Sequence, residues 1–170
     1  MENDFFLKKL IHEIQPAMGC TEPAMAALAG AKASELLGGD DIVSISINAS
    51  RDMIKNAMGV TIPGCRLKGI AAAVALGAAV SDSSKHLSIL SDLDDTSIDK
   101  ALSFKPELIL ASDVPSLYIR VDASSSKGHT VSVTIEQEHD AFSRIVLDGN
   151  VILEQNHLMK SVSGSDDSFT

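Results

Sequence analysis

Leu117-Tyr118-Ile119-Arg120-Val121-Asp122 and, after a break, Val131-Ser132-Val133-Thr134-Ile135-Glu136 alternate apolar and polar residues at every step. Successive side chains of a strand point to opposite faces, so each run makes a strand with one buried and one wetted side. Residues 124–128 separate the two runs as a hairpin loop, and Asp148-Gly149 further on is a second hairpin signal. Strands gather from Glu107 onward and helical patterns precede them. That grouping predicts an α+β domain in which Ala-rich helices pack on a mainly antiparallel sheet of four to five strands, not a series of βαβ units.

Toward the N-terminus, Val43, Ile45 and Ile47 alternate with Ser44, Ser46 and Asn48 and give the clearest strand of the first half. Ser50 is placed to cap a short helix that stops at Gly59, and Pro63-Gly64 marks a turn in the extended piece that follows. Residues 66–80 are apolar on nearly every face after Lys68, which predicts a third long helix near the centre of the packing. Residues 24–37 form a helix whose Ala26, Ala27, Gly30 and Ala33 let another helix approach closely, with Gly38-Gly39 as its stop. Phe5, Phe6, Leu7, Leu10, Ile11 and Ile14 also follow helical spacing, up to Pro16. Residues 81–104 are polar and read as two short surface helices, the second capped by Thr96 or Ser97. Asp92, Asp94, Asp95 and Asp99 there form a solvated patch, because the Gly and closing Glu of a calcium loop are missing. Residues 1–158 then make one domain and residues 159–170 a flexible tail or truncated linker.

A chain of 170 residues can bury a core without staples, and with 4% aromatic residues and no Trp that core must be built from Ala, Ile, Leu, Val and Met. The net charge of -9 opposes nucleic acid and anionic membrane as partners. Cys20 and Cys65 are too few for a disulfide scaffold or a closed metal site, which fits a reducing, cytoplasmic setting. The longest apolar run, residues 69–80, falls short of the ~20 residues of a membrane span, and the acidic Glu2, Asp4 and Glu13 argue against a signal peptide.

Chemistry concentrates at Gly19-Cys20-Thr21-Glu22-Pro23, which precedes the Ala-rich helix. Thr21 suits an N-cap, and Glu22 and Pro23 suit a first helical turn. Cys20 then sits just outside a helix N-terminus, where the dipole favours thiolate and the sulfur becomes a usable base, nucleophile or ligand. The plainer alternative is an inert, half-buried thiol. Lys55 and Asn56 have an equally plain reading as groups that satisfy carbonyls in a helix's last turn.

Three stretches together resemble the N-terminal half of the iron-sulfur-dependent L-cysteine desulfidase family, which is similar to the L-serine ammonia-lyases (serine dehydratases) and is UPF0597-like. They are Pro16-Ala17-Met18-Gly19-Cys20-Thr21-Glu22-Pro23, Lys55-Asn56-Ala57-Met58-Gly59-Val60-Thr61-Ile62-Pro63-Gly64, and Gly69-Ile70-Ala71-Ala72-Ala73-Val74-Ala75-Leu76-Gly77. A weaker likeness places His139 where the family carries a histidine before its last hairpin. Two positions depart from the pattern: Glu138-His139-Asp140 stands where Gly-His-Thr is expected, and Cys65 replaces a small or hydroxyl residue.

The resemblance implies β-elimination from a small amino acid, L-cysteine to pyruvate, ammonia and sulfide or L-serine to pyruvate and ammonia. It implies Cys20 as the proton-abstracting base, with Thr21, Glu22, Lys55, Asn56 and His139 lining the substrate. The 4Fe-4S cluster belongs to the family's C-terminal half, so this chain is expected to hold no metal or cofactor itself and to be inactive alone. Its expected partners are the small amino acid and a complementary cluster-binding domain or subunit, with a homodimer as another way to cover the exposed face. The alternative function is a non-catalytic amino-acid-binding or regulatory module.

Overall fold

A computed structural model describes residues 21–62, 64–91, 93–137 and 142–155. Helix α1 (Thr21–Leu36) is rich in Ala, Met and Leu, which lose little side-chain freedom in a helix, and its apolar side chains are buried almost all round. It ends where Gly38 turns to a positive φ of 68° and donates its N–H to the Glu35 carbonyl. Strand β1 (Ile42–Ala49) follows. Helix α2 (Arg51–Met58) is then started by the Ser50 hydroxyl, which accepts the Met53 N–H at 3.2 Å, and stopped at Gly59. Helix α3 (Ile70–Val80), a 3-10 stretch (Ser83–Ser88) and helix α4 (Asp95–Ser103) complete the helical part. The remaining strands are β2 (Glu107–Leu110), β3 (Tyr118–Ser125), β4 (Thr130–Glu136), β5 (Phe142–Leu147) and β6 (Asn150–Glu154).

The strands form one six-stranded sheet in the order β2-β1-β3-β4-β5-β6. Neighbours are antiparallel except β2, which runs parallel to β1. The α+β class therefore stands, with one strand more than the four to five expected. On one face Ile45, Ile47, Ile119, Val121, Val133, Ile135 and Ile145 are buried, and α1 packs against β3 and β4 there. The opposite face carries Ser46, Asn48, Arg120, Asp122 and Ser132, all half-buried.

Small residues decide how the helices meet. A Cβ on Gly77 of α3 would overlap the backbone carbonyl of Ala27 in α1, and one on Gly30 of α1 would overlap that of Val74 in α3. The two backbones thus touch directly, as the run Ala26, Ala27, Gly30, Ala33 predicts.

Several local expectations need correction. The third helix begins at Ile70, not at residue 66: Gly69, at a φ of 95°, breaks the chain direction, and Thr61 bridges Lys68 in front of it. Helix α4 is capped by Asp94, which accepts the Ser97 N–H at 2.7 Å, and neither Thr96 nor Ser97 does so. Ionised Asp is the stronger acceptor at that position, and its two bonds from Ser97 hold its carboxyl below the ordinary range. Ile89 and Leu90 are buried, so the 81–104 segment is tied to the core and not wholly superficial. Val43 is 64% exposed because the β1–β3 register shifts between Ile42 and Ser44. The helix expected over residues 5–14 and the tail at 159–170 lie outside the described residues. Among the described residues no helix is long and apolar enough to cross a membrane.

Candidate functional site

Of the residues singled out by sequence, four are described, and they occupy two helix ends. Thr21 and Glu22 form the start of α1 as described; Thr21 belongs to the helix itself and not to the capping position before it. Glu22 lies in the first turn, where its carboxylate complements the positive end of the helix dipole. Lys55 and Asn56 lie in α2, with Lys55 in its last turn. The Asn56 side-chain amide donates to Glu22 Oε1 at 3.4 Å, a long hydrogen bond that joins two residues 34 positions apart. The start of α1 and the last turn of α2 therefore converge, bringing a positive helix end to a negative one.

Both sides of the contact are accessible: Glu22 and Thr21 are half-buried, and Lys55 and Asn56 are exposed. Lys55 neighbours Asn56 in sequence, but a step of about 100° around the helix separates them, and it makes no hydrogen bond or ion pair among the described residues. Its ammonium is exposed in the last turn of α2 and satisfies none of that turn's carbonyls through a hydrogen bond among the described residues. Cys20 and His139 lie outside the described residues.

The loop after α2 is built from within. Ile62 is fully buried and donates its N–H to the Leu67 carbonyl, while Cys65 donates both its N–H and, at 3.7 Å, its thiol to the Ile62 carbonyl. Cys65 is half-buried against the core and serves as packing. Gly64, at a φ of 86°, makes the turn. The described parts of the three stretches that carry the family resemblance thus lie on α1, on α2 with its loop and on α3, each helix in contact with the next. Residue type marked Glu22 and Asn56 in advance; their meeting had no local signal.

The acids whose carboxyls are held below the ordinary range lie elsewhere. Asp82 is held down by its hydrogen bond with Ser84, and Asp148 by the Thr130 N–H and by His129 at 2.9 Å. They are turn and cap residues. Among the described residues no group of three or more His, Cys, Asp or Glu is placed to hold a metal ion.

Comparison with known proteins finds relatives of this sequence. The chain is 36% identical over 146 residues to a UPF0597 protein of Thermosipho africanus, 37% over 152 residues to one of Finegoldia magna, and 36% over 157 residues to one of Clostridium perfringens. These matches cover 84%, 86% and 90% of this chain. It is a UPF0597-family sequence. The match takes in only 36% of each of those relatives, so the chain spans little more than a third of the length of the UPF0597 proteins it matches. No family model matches it, and no solved structure does.

Proposed function

We propose that this UPF0597 sequence is the N-terminal part of a lyase of the L-cysteine desulfidase and L-serine dehydratase type, acting by β-elimination on a small amino acid. The observation that supports the reading most is the Glu22–Asn56 contact, because two separated stretches of the resemblance supply its two sides. On this reading the Asn56 amide and the N–H groups at the start of α1 receive the substrate carboxylate, while Glu22 keeps the amide in place. Cys20, which immediately precedes Thr21 in sequence, takes the proton from the substrate's α-carbon as a thiolate. Loss of that proton and of the β-substituent, as sulfide from L-cysteine or water from L-serine, leaves an enamine. Tautomerisation and hydrolysis then give pyruvate and ammonia. On this reading the iron-sulfur centre belongs to a complementary domain or subunit, and the chain alone is inactive.

The test is anaerobic reconstitution of this chain with the remaining portion of a UPF0597 relative, iron and sulfide, followed by assay of pyruvate from L-cysteine and L-serine. Turnover that Cys20→Ser abolishes is expected. A cluster-loaded complex that yields no pyruvate, or one indifferent to Cys20→Ser, overturns the reading. Saturable binding of either amino acid without turnover would point to a regulatory module instead.

A further inference from the structure

The face of the sheet turned away from α1 holds a pocket of about 290 Å³ over strands β3 to β6. Register lays out its floor: Arg120 of β3, Thr134 of β4, Arg144 of β5 and Glu154 of β6 lie side by side across the four strands. Neighbouring strands are about 4.8 Å apart, so the two arginine positions stand roughly 10 Å apart with Thr134 between them. One step along the same face, Tyr118 pairs with Glu136.

Thr134 is the informative residue. It is only 8% exposed, yet its hydroxyl makes no hydrogen bond among the described residues. Ser143 beside it, also buried, donates to the Thr134 carbonyl at 3.2 Å where the β4–β5 register shifts, and the buried Ser50 and Ser125 hydroxyls are bonded too. A hydroxyl on the floor of a pocket with no protein partner is open to a ligand, and one so deeply buried gains most from a bond. The charges around it are uncommitted as well. Arg120 donates its Nε–H to Asp122 at 3.1 Å, and its terminal N–H groups make no further bond among the described residues. Arg144, Glu136 and Glu154 take part in no ion pair there, although Arg144 and Glu154 are opposite one another.

Two guanidinium groups and two carboxylates line the pocket, so its charges balance and a ligand carrying both signs matches it best. We propose that this pocket binds a free α-amino acid, at a site separate from the Glu22–Asn56 contact. The ligand carboxylate accepts from Arg144, whose guanidinium can meet it through two parallel bonds, from Arg120 and from the Thr134 hydroxyl. The ligand ammonium donates to Glu136, two residues along β4 on the same face, and to the Tyr118 hydroxyl. The volume lies at the low end of ligand pockets and suits a molecule of that size. This site requires neither the iron-sulfur centre nor the elimination chemistry proposed above.

Calorimetric titration of the 170-residue chain with each common L-amino acid in turn tests it. Saturable binding of at least one is expected. Its amide, which lacks the carboxylate, and its deamino analogue, which lacks the ammonium, should each bind at least about tenfold more weakly. Arg144→Gln should cost a similar factor. Thr134→Val, which keeps the shape and removes the hydroxyl, should also weaken binding while the urea midpoint stays level or rises, because no bond within the fold is lost. Absence of binding by every amino acid, an amide that binds as tightly as the acid, or binding indifferent to both substitutions overturns the proposal. Binding that Asn56→Ala abolishes and Arg144→Gln leaves intact belongs to the Glu22–Asn56 contact and overturns it too, whereas the pyruvate assay decides the lyase reading separately.

Discussion

Gly77 sets the distance between α1 and α3. A methyl group there meets the Ala27 carbonyl, which is backbone and cannot swing aside, so Gly77→Ala must push the helices apart and open the core above the sheet. We expect it to lower the unfolding free energy by about 1–3 kcal/mol, at the cost typical of overpacking, read as a fall in the urea midpoint at unchanged m-value. An unshifted midpoint would mean that the two helices are not in backbone contact. The close approach was half legible in advance. Ala26, Ala27, Gly30 and Ala33 at helical spacing announce a small-residue face, but nothing local says which helix it receives. Glu22 and Asn56 show the same limit: each is marked by its motif, while their contact is a property of the packed helices. Chain neighbours betray a cap; only the fold reveals a pair 34 residues apart.

Elements were legible where a side chain closes a ring with its own backbone. Ser50 before α2 and Gly59 after it stand as expected because cap and helix are adjacent in sequence. The start of α3 was not, because residues 66–68 are compatible with a helix and are recruited into a bridge with Thr61 only by the chain's return. The hairpin turns combine both cases. Asp148-Gly149 adopts the left-handed conformations, with φ of 51° and 82°, that an Asp-Gly turn promises. Asp148 also reaches across to the β3–β4 loop, accepting the Thr130 N–H and bonding His129, which ties two hairpin ends together. Those bonds favour the carboxylate, so its folded pKa lies below the ordinary 3.8. A depressed carboxyl contributes stability that is present above the unfolded value and is lost as pH falls through the folded one. Asp148→Asn should therefore be less stable than the wild type at neutral pH, and the gap should close as the pH is taken below about 4. Urea midpoints measured from neutral to acid pH check this, and a gap that persists at low pH would assign the stabilisation to something other than the carboxylate.

At the scale of the molecule, the antiparallel strands were readable from alternation alone, since a half-buried face imposes it on β1, β3 and β4. Strand β2 was not: four residues reading Glu-Leu-Ile-Leu at an exposed edge have no buried face to impose alternation, and their parallel partner lies far back in the chain. Charge is a second whole-molecule property visible beforehand, and it has a consequence for stability. A net charge of -9 repels itself more strongly in the folded chain than in the expanded one. Against it stand three Lys or Arg ion pairs among the described residues, each with at least one partly exposed partner and none worth much in water. Salt screens the repulsion spread over the whole surface along with those pairs, and here the repulsion outweighs the pairs. Raising sodium chloride from low to physiological concentration should therefore raise the urea midpoint, by an amount on the order of 1 kcal/mol or less in unfolding free energy. Chloride is the salt to use, because sulfate would stabilise any fold by exclusion from its surface. A midpoint that falls with salt would mean that the local pairs outweigh the net charge.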